Sequence, residues 1–176
     1  MDYSKLEAIN WGLSIALIVL GGLFAWYIIK NKDTGYRPEA NADNSGTRET
    51  RQLQLGAYER LALLSERLKL ENLVSSLYQN GYSAKDMQQV MIQSIRQEYA
   101  HNITQQIYVS ASIWNAIEKM KDQNIFIISQ LANTIPQDAA AMDLNKTIIE
   151  FLMANPEATM NKLVTEAVQF EAKKLL

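Results

Sequence analysis

Glu98 and His101, in the run EYAH, stand three residues apart, which puts a carboxylate and an imidazole on neighbouring turns of one helix face. Such a Glu-x-x-His pair is half of the ligand set of carboxylate-bridged di-iron bundles, which need a second pair and two further glutamates. His101 is the only histidine in the chain. A complete set would therefore require a second copy across a homodimer axis. The simpler expectation is that His101 and Asn102 satisfy carbonyls at a helix C-terminus, where the dipole favours a partly positive imidazole. On that reading no metal or cofactor is expected.

Other catalytic constellations fail earlier. The chain has no cysteine, which removes disulfides, thiolate metal sites and a cysteine nucleophile. No Gly-x-Ser-x-Gly elbow surrounds any serine, and no Gly-rich phosphate loop is present. Asp138 and Asp143 read as caps and solvated loop residues. Asn102-Ile103-Thr104 matches a glycosylation acceptor, a short pattern that arises often by chance. Residues 30–69 carry eight basic against six acidic side chains, and residues 70–176 eight against eleven. That balance gathers no nucleic acid. The expectation is a protein without enzymatic activity and without an evident small-molecule substrate.

The elements that would position any site divide in two. From Ala8 to Ile29 no side chain is charged, and at a helical rise of about 1.5 Å this run covers about 33 Å, enough to cross a hydrocarbon core. Trp11 at one end, with Trp26 and Tyr27 at the other, suits the headgroup boundary, and Lys30 and Lys32 can snorkel into water. The head MDYSKLE is not basic, which argues against a cleaved signal. Lys5 precedes the run, whereas Lys30, Lys32 and Arg37 follow it, so the N-terminus is expected outside and the remainder in the cytoplasm, at the inner membrane. Ser14, Gly21 and Ala25 share one face and offer a close helix–helix approach in the bilayer. The layout is thus a head over 1–7, a transmembrane helix over 8–29, a flexible linker over 30–47 and a helical domain over 48–176.

Beyond the linker the helical period dominates and predicts an all-α domain of about five to six helices. A first helix from about Arg48 presents Leu53, Ala57, Leu61, Leu64 and Leu68, broadened by Leu55, Tyr58 and Leu63. A second starts near Glu71 and closes at Asn80-Gly81. Ser83 and Asp86 form an approximate capping box for a third, with Met87, Met91, Ile95 and Tyr99 inward. Residues 102–110 read either as a kinked continuation or as a loop. Ser110 caps a long helix through Ile113, Ile117, Met120, Ile127 or Ile128, and Leu131, stopped before Pro136. Asp143 caps the next, through Ile148, Phe151 and Leu152. Asn155-Pro156-Glu157 opens the last, carrying Met160, Leu163, Ala167 and Phe170.

The run YERLALLSERLKLENLVSSLYQNGYSAKDM, with IRQEYAHNITQQIYVS and Trp114 after it, resembles an uncharacterised family of short single-span bacterial membrane proteins of Bacteroidota type. The resemblance covers most of the chain after the linker and implies an anchor followed by a helical domain of unknown function. It brings no catalytic residues. In that pattern a proline often stands at a helix boundary where this chain has Leu70, which leaves open whether the first two helices are separate. The function expected is a membrane-anchored adaptor with an unidentified protein partner, or a self-associating structural protein.

Overall fold

The computed structural model describes residues 44–176. The expected span over 8–29 lies outside them, together with Trp11, Ser14, Gly21, Ala25, Trp26, Tyr27, Lys30 and Lys32. No helix of the described residues is long and apolar enough to cross a membrane.

The described chain is all-α. Its helices are α1 (Asn44–Arg67), α2 (Leu70–Leu77), α3 (Ala84–His101), α4 (Ala111–Ala132), α5 (Ala141–Ala154) and α6 (Asn161–Lys173), with a 3-10 turn (Ile103–Ile107) between α3 and α4. Tyr58 of α1 meets Glu171 of α6, and Ser65 meets Asn161, so these two helices run antiparallel. Asn124 of α4 touches both Leu68, just past the end of α1, and Asn161, which sets the middle of α4 against the end of α1 and the start of α6. α3 returns along α4, and α5 packs on both. Before α3 and α5, two loops are laced together: Ala84 N–H donates to the Ala139 carbonyl at 2.7 Å, and Ala141 N–H to that of Tyr82 at 2.9 Å.

One apolar cluster joins every helix. Leu61, Leu64 and Leu68 of α1, Met87, Met91 and Ile95 of α3, Ile117, Met120 and both Ile127 and Ile128 of α4, Leu144 and Ile148 of α5, and Val164 and Val168 of α6 belong to it. The period of 3.6 residues that marked these stripes is the one that buries them.

Several boundaries differ from the sequence expectation, each for a local reason. α1 begins at Asn44, four residues before the expected Arg48. Leu53 lies on the core stripe yet is exposed, because α1 has there passed the end of α6. Leu63 follows Leu61 by about 200° of helix rotation and faces solvent. α2 ends at Leu77, so Asn80-Gly81 does not close it; Gly81 takes φ +90° in the turn that follows. α2 is separate from α1 although no proline stands at Leu70, because Lys69 adopts ψ 133° and breaks the helix. Residues 103–107 form the 3-10 turn, neither the plain loop nor the kinked helix of the two sequence readings. Asp143 sits at the third position of α5 and accepts the Ala140 N–H at 3.2 Å, instead of occupying the cap itself. Asn155 closes α5, its side-chain amide donating to the Phe151 carbonyl at 3.0 Å, and α6 starts only at Asn161. Val164 and Val168 form the buried face of α6, leaving Leu163 and Phe170 exposed. The Ser83–Asp86 box and the Ser110 cap stand where the sequence placed them.

Candidate functional site

α3 carries the residues singled out for chemistry. Its last turn places Glu98 against α1, where the carboxylate pairs with Arg67 at 3.3 Å. Both groups are accessible to water, so this bridge contributes little to stability. His101 is exposed at the helix end. It is Asn102 that satisfies the helix end: its amide donates to the Glu98 carbonyl at 2.8 Å. With that amide engaged and the side chain buried, the Asn-Ile-Thr acceptor is closed to a glycan. No cluster of three or more metal-ligating side chains occurs among the described residues.

Between Glu98 and His101, Tyr99 turns inward. Its ring lies 5.3 Å from that of Trp114 at a tilt of 33°. Lys121 Nζ sits 4.5 Å from the ring centroid, an arrangement the ring quadrupole favours. Burial first, then the neighbouring Glu118 carboxylate, pushes the Tyr99 hydroxyl above its ordinary range. This corner holds α3 to α4.

The polar residues that matter most to the interior carried no motif. The break at Lys69 takes the helical i+4 donors from the carbonyls of Ser65, Glu66 and Leu68, the last just past the end of α1, and leaves Glu66 only the Lys69 N–H at 3.2 Å. Three asparagines replace them. Asn161 donates to the Ser65 carbonyl at 3.0 Å, Asn72 to that of Glu66 at 2.7 Å, and Asn124 to that of Leu68 at 2.7 Å. Asn124 also donates to Asn161 Oδ1 at 3.3 Å, joining α4 to α6 in the same knot. One residue earlier on α4, Gln123 opens α6 from outside: its Oε1 accepts the Met160 N–H at 2.8 Å, and its Nε2 donates to the Ala158 carbonyl at 3.1 Å. Neutral amides supply neither a charge nor a nucleophile. They position helices.

Between the middle of α1 and the last turn of α6, Tyr58 Oη donates to Glu171 Oε2 at 2.9 Å. Burial, then the Glu171 charge, pushes the phenol up to about 12, while the adjacent Ser110 works the other way. None of these groups was legible as a partner pair, because an aromatic and an acid more than a hundred positions apart leave no spacing signal.

An all-α unit of six helices, with amide-capped breaks in place of a ligand cluster, is the class these residues define. The chain belongs to a family of unknown function, DUF7935, whose model matches residues 6–175. No curated protein and no solved structure matches it.

Proposed function

We propose that this chain is a membrane-tethered helical module that binds another protein at the inner face of the cytoplasmic membrane and has no catalytic role. The observation that carries this reading is the extent of the family match. It starts at residue 6, so the uncharged run Ala8–Ile29 belongs to the same family unit as the six helices. A run of that length is a bilayer-crossing signal. Exposed Phe126, Met142 and Met153 leave apolar area for a partner to cover, and methionine adapts well to an irregular surface.

Two measurements test it. The full chain should stay with membranes through an alkaline carbonate wash, and deletion of Ala8–Ile29 should release it. Crosslinking in intact cells, followed by purification in detergent, should recover one stoichiometric partner protein. Release of the full chain by carbonate overturns the tether, and recovery of the chain alone overturns the adaptor role.

A further inference from the structure

Several elements end at one pole of the domain. The Tyr58–Glu171 bond sets the last turn of α6 beside the middle of α1, and Ser110 at the start of α4 meets the same hydroxyl. From there α1 continues outward: Gly46 precedes Tyr58 by twelve residues, about 18 Å of helix, and positions 46–53 are all exposed. This is the pole from which the chain leads back towards Ala8–Ile29, with only residues 30–43 between.

The side chains around it are unusual for a solvated surface. Leu53, Ile107, Phe170 and Leu176 are 55%, 73%, 57% and 89% exposed. Among them stand Arg48 and Arg51 on the overhang, and Lys173 and Lys174 at the end of α6. Lys174 Nζ lies 4.4 Å from the centre of the Phe170 ring, so ammonium and ring share one patch. The acids nearby are Glu49, Glu59 and Glu171; the Tyr58 hydroxyl engages the last, and Arg60 follows Glu59, so the basic side chains still outnumber them. Large apolar side chains interleaved with a basic surplus are what an anionic lipid surface binds: rings and aliphatic chains enter the headgroup boundary while ammonium and guanidinium groups meet phosphates.

We infer that the Tyr58–Glu171 pole docks onto an anionic bilayer surface, with Phe170, Ile107 and Leu53 in the headgroup layer and Arg48, Arg51, Lys173 and Lys174 on lipid phosphates. This rests on the tethered reading above. It adds an orientation: the domain lies against the membrane by this pole and presents the opposite end, with Met142 beside the Ser83–Ala140 pairing, to the aqueous side.

The absence of cysteine makes the test direct. Single substitutions Ile107→Cys, Phe170→Cys and Met142→Cys in the full chain each take an environment-sensitive fluorophore. The labelled proteins are reconstituted into phosphatidylcholine vesicles with or without about one third phosphatidylglycerol. With anionic lipid, the labels at 107 and 170 should shift to the blue and be quenched by nitroxide-bearing lipid several-fold more than the label at 142. Lys173→Glu with Lys174→Glu should reduce that docked population about tenfold or more, and high salt should weaken it. Equal quenching at all three positions overturns the inference. So does protection that ignores lipid charge but rises with protein density, which would place a second copy on the pole. A chain washed from vesicles by carbonate fails the tether instead, and that outcome is read separately before any fluorescence.

Discussion

Single side chains hold this fold at points where the backbone loses its own partners, and their removal should be felt. Asn124→Ala leaves the Leu68 carbonyl and Asn161 Oδ1 without their buried donor, and should cost about 2–3 kcal/mol in chemical denaturation. Tyr58→Phe removes one bond to a carboxylate and should cost about 1.5 kcal/mol at neutral pH. The pH dependence has a definite sign. The folded phenol holds its proton up to about 12 against an ordinary value near 10, so its contribution is complete below about pH 10 and fades as pH rises through about 12. Tyr58→Phe should flatten that part of the profile. Asp86 behaves oppositely: the Ser83 hydroxyl and N–H hold its carboxyl low, so its share is lost as pH falls below the usual carboxylate range. Purified full-length protein should carry no stoichiometric iron, manganese or zinc by elemental analysis; metal that disappears with His101→Ala would revive the Glu98/His101 alternative. The local caps at Ser83 and Ser110 could be read from three-residue spacing. The roles of Asn124, Gln123 and Tyr58 could not, because their partners are brought near only by the fold.

Among the elements, the break between α1 and α2 is the most instructive. Lys69 already holds the extended conformation that a following proline demands, and Leu70 occupies the first helical position, where proline is tolerated. Leu70→Pro should therefore fold with unchanged helix content and lose only the packing of a fully buried leucine. Val74→Pro, one turn inside α2, should cost about 3 kcal/mol or more from the backbone alone. Melting followed by circular dichroism separates the two. Gln123→Ala should loosen α6, raising hydrogen exchange in its first turn while α3 stays protected, at a cost of about 1–2 kcal/mol. Helix number and class were legible because apolar stripes declare themselves within ten residues. Boundaries were less so: Asn155 and Asn80-Gly81 fit both a cap and a turn, and only the neighbouring α4 side chain decides where α6 begins. The face of α6 was missed because Leu163 and Phe170 are as apolar as the valines that won the core.

For the molecule as a whole, one continuous core predicts one cooperative transition. Leu61→Ala in α1 and Ile148→Ala in α5 should each lower the same transition, by about 2–5 kcal/mol. Two resolved transitions would show that α5 folds apart from α1. The pairing of α1 with α6 carries a mechanical corollary. Because the two helices run in opposite senses and their Tyr58 and Glu171 levels coincide, handles attached at positions 46 and 176 would pull on the same end of the pair. Tension would then peel the helices apart like a zipper, rupturing the phenol–carboxylate clasp first and the asparagine knot last. In an optical trap the chain should yield at low force in successive steps, where a sheared bundle would hold and then snap.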